Sequence, residues 1–240
     1  YCEKVRWALD FKALPYWRKS LLPGPHVATI RPKTGRSEVP VLTIDGEAIG
    51  DSPRILDRIE ALAPTPPLYP DDPALVDRGR ELQELGDATT AALRCCLLER
   101  LLNHGDYYCT LTSWGQGSMQ RRAFKLGFPA LRPIIRAKYR LAKRPSAKYD
   151  QVLTAALDAL DRRIEGDYLL GDHFTFADLA VAASISTLLP DGPSPYGLQS
   201  RMPAELEAWR AQFRSRPSLQ WATEMYLRHR GVSMSNTRTL

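Results

Sequence analysis

The sequence predicts a small α/β unit followed by a larger all-helical one, and three observations carry that reading. A hairpin signal lies within the first sixty residues, at Pro40-Val-Leu-Thr-Ile44, Asp45-Gly46, Glu47-Ala48-Ile49. Asp-Gly between two short apolar runs suits a tight turn in which both central residues take positive φ. Five prolines then fall between Ala63 and Pro73 (Pro64, Pro66, Pro67, Pro70 and Pro73), which makes a stiff, extended connection. Beyond that connection only helical periodicity is visible.

The elements follow in order. Val5, Ala8 and Leu9, with Trp7, Phe11 and Leu14 beside them, keep helical spacing over 3–14, and Pro15 stops the helix. Residues 16–20 read as a short strand, and 21–32 as loop with one helical turn at most, because Pro23, Gly24, Pro25 and Pro32 punctuate it. After the hairpin, Ser52 suits an N-cap and Pro53 the first helical position. Ile55, Leu56, Ile59 and Leu62 form the buried stripe of that helix. Amphipathic segments run over about 74–103, 119–142, 147–166, 175–189 and 203–229. The expected organisation is therefore 1–63 as the α/β domain, 64–73 as linker, 74–232 as the helical domain and 233–240 as a polar, frayed tail.

Bulk properties narrow the function. The 240 residues carry 33 Lys and Arg against 27 Asp and Glu, a net charge of +6 that favours anionic small molecules. The basic residues read as spread along the chain and interleaved with acids, with no basic run longer than a few residues, so no nucleic-acid partner is expected. No run approaches 18 apolar residues, so no spanning segment and no membrane partner are expected. Four cysteines, Cys2, Cys95, Cys96 and Cys109, have neither disulfide nor metal spacing, which fits a reducing, cytoplasmic setting.

Three motifs then coincide. Tyr1-Cys2-Glu3-Lys4-Val5-Arg6-Trp7-Ala8-Leu9 resembles the first helix of the glutathione transferase superfamily, entered from its active-site loop. Glu38-Val39-Pro40-Val41-Leu42 resembles that family's Val-Pro turn, and Ile49-Gly50-Asp51-Ser52 its acidic-residue-plus-serine turn. The order and spacing match over the first 63 residues. The resemblance implies a thioredoxin-like N-terminal domain and an all-α helical-bundle C-terminal domain. It also implies glutathione as co-substrate, a small hydrophobic electrophile as second substrate, and a homodimer formed through the first helices of the bundle. In that frame the Val39–Pro40 bond is cis, the backbone of Val39 pairs with the cysteinyl part of glutathione, and Asp51 and Ser52 receive its γ-glutamyl end.

The residue chemistry points the same way. Ser52 lies at a helix N-terminus, where free N–H groups and the macrodipole favour a carboxylate, and Asp51 offers the charge that an α-ammonium needs. Without the resemblance, Ser52 and Asp51 read as a plain helix cap and Pro40 as the first residue of a strand. Arg36 and Lys33 are candidates for the glycyl carboxylate, or simply solvated loop cations. Tyr107, Tyr108, Trp114 and Tyr139 either line a hydrophobic-substrate pocket or fill the bundle core. His104 and His173 read as structural, without companions at metal spacing.

Cys2, at a helix start, is a candidate nucleophile, since the dipole there lowers a thiol's pKa. By the resemblance, however, the thiol-activating residue precedes it by about two positions. Cys2 then matches a resolving cysteine, or a small buried side chain. The alternatives to a transferase are thus a thiol reductase using Cys2 and a glutathione transferase-like fold retained for binding alone.

Further along, Thr175 and Asp178 form a capping box, with Phe174 and Leu179 placed as a hydrophobic staple; the segment from Gly171 to Asp178 resembles the family's helix-nucleating segment. A domain of this family also has a strand inside its sheet, between 16–20 and the strand starting at Pro40. The resemblance therefore predicts about ten residues upstream of Tyr1, because an interior strand left out would strand two rows of backbone groups. That segment would also carry the thiol-activating residue. Direct pairing of 16–20 with 40–44 would contradict it.

Overall fold

The computed structural model describes residues 1–142, 145–189 and 202–237. The N-terminal half runs α1 (Cys2–Phe11), β1 (Tyr16–Arg18), α2 (His26–Thr34), β2 (Val41–Ile44), β3 (Glu47–Gly50) and α3 (Ser52–Leu62). The helical half runs α4 (Pro73–Leu101), α5 (Gly105–Thr112), α6 (Ser118–Lys138), α7 (Ala147–Asp161), α8 (Phe176–Ile185), α9 (Ala204–Ala211) and α10 (Pro217–His229). A last short strand, β4 (Ser235–Thr237), follows.

The hairpin forms as the Asp-Gly pair predicts: Asp45 and Gly46 take φ of 50° and 85°, and Val41 faces Gly50 in the antiparallel register. β1 is not paired with β2. Its partner is β4, which lies parallel to it with Tyr16 opposite Ser235 and Arg18 opposite Thr237. The tail expected to fray therefore returns to the first strand, at least through residue 237. Its polar sequence hid this because three ladder positions need no apolar pattern to supply backbone donors and acceptors.

Two other segments differ from the sequence reading. Residues 26–34 form α2, not loop, even though Pro32 lies inside it. Proline removes one ladder hydrogen bond there, and much of this short helix faces water, which donates to the freed carbonyl. The cap of α3 also lies one residue earlier than expected. Asp51 is the N-cap, with φ 78° and ψ 117°, and Ser52 is the first helical residue.

The core sits where α4 meets α7 and α8, and where α1 and α10 pack on α8. α7 buries the stripe its spacing marks, Leu153, Leu157 and Leu160, and α3 buries Ile55, Leu56 and Ile59. Leu62, expected in the same α3 stripe, is exposed because it ends the helix beyond the last core contact. Gly79 is required in α4, because a Cβ there would collide with the Phe176 ring and Leu170. The capping box closes α8 as expected: the Thr175 N–H and hydroxyl both donate to Asp178 Oδ2 at 2.8 Å. Asp178 Oδ1 also accepts the Leu169 N–H at 2.7 Å. The proline-rich connection is anchored by Leu68, fully buried, whose carbonyl accepts the Phe176 N–H at 2.8 Å.

The two halves meet along α1. Trp7 is buried against Phe174 and Tyr226, with ring centroids 5.7 and 4.4 Å away, and its indole N–H donates to the His229 carbonyl at 3.1 Å. Just past α10, Arg230 reaches back and bridges two α1 carboxylates, Glu3 and Asp10, each at 2.8 Å. The backbone N–H of Met234 then donates to Asp10 at 2.7 Å, which aims the chain toward β1.

Candidate functional site

The hairpin register organises the site. With Val41 opposite Gly50, the residues just before β2 and just after β3 lie at the same end of the hairpin. Those residues are Val39 and Pro40 on one side, Asp51 and Ser52 on the other. The Val39–Pro40 bond is cis. Val39 is exposed and Ser52 is buried at the first turn of α3.

No side chain caps α3, so the positive end of its dipole is open to a carboxylate brought to it. Asp51 holds a backbone conformation that costs a non-glycine residue about 1–3 kcal/mol and persists only where its surroundings over-determine it. The strand before it and the helix after it do so here, and they turn its carboxylate outward. Arg36 stands 4.0 Å from that carboxylate, both side chains being exposed. Lys33, on the last turn of α2, is exposed too.

A charge the sequence reading missed lies behind this edge. Lys4, buried on α1, donates to Asp87 of α4 at 2.7 Å and also feels the Asp51 carboxylate. Burial pushes its ammonium below the usual lysine range, while Asp87 and Asp51 pull it back up. Tyr1 donates its hydroxyl to the Asp87 carbonyl at 3.1 Å. On a helix wheel Lys4 adjoins the buried stripe of Val5, Ala8 and Leu9; no signal for Asp87 exists in the sequence, because the partner lies far along the chain.

Cys2 is the first residue of α1. Although the residue reaches the surface, desolvation raises its pKa above the ordinary cysteine value, against the downward pull of nearby positive charge such as Arg6. Cys96 is pushed up to about 12 by burial, and Cys95 and Cys109 are raised for the same reason. A raised pKa favours the protonated thiol in each case.

The four aromatic candidates stand in different surroundings. Tyr108 is core: it packs on Phe128 at 5.1 Å, and burial pushes its phenol up to about 12. Tyr139 lies under Arg94, 5.3 Å from its guanidinium, and Tyr107 is half-buried against the core. Trp114 is partly exposed, with the Arg18 guanidinium 3.8 Å over its ring. Beside it opens a cleft of about 510 Å³, lined by the loop after β1, the start of α2, and Gly115, Gln116 and Gln120. His104 and His173 pair with Glu205 and Asp172, as structural histidines do. Among the described residues no cluster of His, Cys, Asp and Glu can hold a metal, and no helix is long and apolar enough to cross a membrane.

A hairpin and three helices carrying a cis-proline turn, joined to a helical bundle through the first helix, define the glutathione transferase class of fold. Family comparison agrees. Residues 1–67 match the model described as Glutathione S-transferase, N-terminal domain, and residues 131–222 the one described as Glutathione S-transferase, C-terminal domain. The chain belongs to the glutathione S-transferase superfamily.

Solved structures share the fold. A glutathione S-transferase from Methylobacterium radiotolerans, in complex with glutathione sulfonate, is 23% identical with a TM-score of 0.53, covering 91% of this chain and 87% of its own. One from Methylobacillus flagellatus with glutathione bound is 19% identical at a TM-score of 0.59, covering 95% and 90%. One from Pseudomonas fluorescens is 16% identical at 0.58, covering 97% and 92%. No curated protein sequence matches the chain.

Proposed function

We propose that the protein is a glutathione-dependent transferase that delivers the glutathione thiol to a small hydrophobic electrophile. The observation that carries this reading is the meeting of a cis Val39–Pro40 turn with Asp51 and Ser52 at the uncapped start of α3. In this reading the α3 N-terminus and the Ser52 hydroxyl hold the γ-glutamyl carboxylate, and Asp51 holds the α-ammonium. The backbone of Val39 pairs with the cysteinyl unit in the manner of an added strand residue. Arg36 and Lys33, exposed on the same side, receive the glycyl carboxylate. Lys4, held by Asp87, adds positive charge on the protein side of Asp51.

Holding the tripeptide at three points orients its thiol and removes most of the entropy of a two-body encounter. The electrophile enters from the helical half, and Trp114 offers it a partly exposed aromatic face. The raised Cys2 pKa disfavours a reductase in which Cys2 acts as the thiolate. Isothermal titration with glutathione, followed by a conjugation assay with an aryl halide, tests the proposal. Saturable binding with turnover is expected, and absence of binding overturns it. We also propose a homodimer contacting through α4; light scattering that returns the 27.0 kDa of a single chain would overturn that.

A further inference from the structure

The longest break in the interleaving of basic with acidic residues lies in the helical half. Between Asp106 and Asp150 there is no Asp or Glu, while ten Lys and Arg fall there. Six of the ten lie on α6: Arg121, Arg122, Lys125, Arg132, Arg136 and Lys138.

α6 also has two apolar faces where a helix on a bundle needs one. Phe124, Phe128 and Ile135 point into the core. On the opposite side Met119, Ala123, Leu126, Ala130, Ile134 and Ala137 recur at spacings of three and four, and all are exposed. The three large ones are 80%, 83% and 62% exposed. Scattered exposed apolar side chains need no explanation, but a stripe five turns long with cations beside it does.

Its neighbours restrain some of those cations without neutralising the face. Lys125 pairs with Asp106 at 2.9 Å, and Arg132 and Arg136 donate to Asn103, at 3.0 and 2.9 Å. Arg121, Arg122 and Lys138 project from exposed positions.

We propose that α6 docks the protein on an anionic lipid surface, with Met119, Leu126 and Ile134 entering the acyl boundary and the flanking arginines and lysines meeting the headgroups. An interfacial helix of this kind combines an apolar ridge with a cationic border and does not span the bilayer. The charge favours an anionic partner, and the ridge selects among anionic partners. Nucleic acid would set aliphatic side chains against phosphates, and this face carries no aromatic side chain on which a base could stack. A second copy of the same face would place like charges together. Aliphatic side chains standing on a convex helix, with alanines between them, fit a fluid apolar phase better than a complementary pocket.

Co-sedimentation of the whole chain with vesicles tests this. Phosphatidylcholine vesicles containing about a third phosphatidylserine should pellet the protein, and phosphatidylcholine alone should not. Raising salt from about 0.1 M to about 0.5 M should release it, since screening shortens to a few ångströms. The double substitution Leu126→Asn, Ile134→Asn should weaken binding by about tenfold or more for each side chain withdrawn, with the circular dichroism spectrum unchanged because neither side chain is packed. Arg122→Glu, which leaves the ridge intact, should cost at least about fivefold.

Equal pelleting with neutral vesicles, no pelleting at all, or undiminished binding by the double variant would overturn the proposal. So would a duplex DNA or an acidic peptide that competes with the vesicles and loses affinity through the same two substitutions.

Discussion

Of the places where an arginine meets aspartate or glutamate, two do opposite work. Along the seam between the halves, Arg230, Glu3 and Asp10 have side chains 3%, 8% and 1% exposed, and the bonds are 2.8 Å long. At the edge of the hairpin, Arg36 and Asp51 are 61% and 43% exposed and stand 4.0 Å apart. Charges taken out of water are bound to one arrangement, because losing a partner leaves the other stranded. Charges left in water at that distance hold each other weakly, so each stays open to a ligand. The seam fixes the fold, and the edge keeps its chemistry uncommitted.

The largest expected effect breaks the seam. Arg230→Ala leaves two buried carboxylates unpaired and should lower stability by about 3–5 kcal/mol, read as a shift of the urea midpoint. Next comes the floor beneath the seam: Asp178→Ala removes the α8 capping box and orphans the Leu169 and Thr175 N–H groups. It should cost about 2–4 kcal/mol in the same measurement. At the edge the order of effects inverts. Ser52→Ala should weaken glutathione binding by about 1–3 kcal/mol in a calorimetric titration. Arg36→Ala should change stability by no more than about 0.5 kcal/mol, since an exposed pair contributes little. An Arg36→Ala protein destabilised as much as Arg230→Ala would erase the distinction drawn here.

The smallest effect sharpens the seam through pH. His229 stacks on Phe174 at 4.3 Å and accepts or donates a bond with Tyr168 at 3.1 Å. Burial, and then Arg228, lowers its pKa below the ordinary 6.5. The unfolded chain therefore binds the proton more readily than the folded one. Its contribution is present above about pH 6.5 and is lost as pH falls from there through the folded value. The melting temperature of His229→Phe should fall less between pH 7.5 and pH 5 than that of the unaltered protein.

How much of this was legible depended on how far apart the interacting residues lie. The Asp45-Gly46 turn, the Thr175–Asp178 box and the Asp51-Ser52 corner are local, and each is written within four residues of sequence. The α7 and α3 stripes needed only periodicity. Lys4 reads as one more charge on an amphipathic helix until Asp87, 83 positions away, is brought beside it. Pro32 argued for a loop because proline's cost depends on whether water can satisfy the freed carbonyl, which only the exposure of α2 reveals. The acid-free interval was present in the sequence, yet counted as runs it looked unremarkable. Its meaning appears once α6 sorts the cations and aliphatic side chains around one axis. The aromatic residues left two readings open for a related reason: a tyrosine in a bundle core and one at a pocket wall share the same local pattern.

The clamp at Arg230 also orders events in time. Its bond to Asp10 joins residues 220 positions apart, so the seam cannot close until α10 has been made. Closing so long a loop earns nothing until the far contact forms, whereas neighbouring helices such as α5 and α6 meet at once. During synthesis the two α1 carboxylates wait in water while the helical half assembles. The Arg230 clamp and the pairing of β4 with β1 both follow α10 in the chain, so these two contacts close the junction after the rest of the helical half has been made.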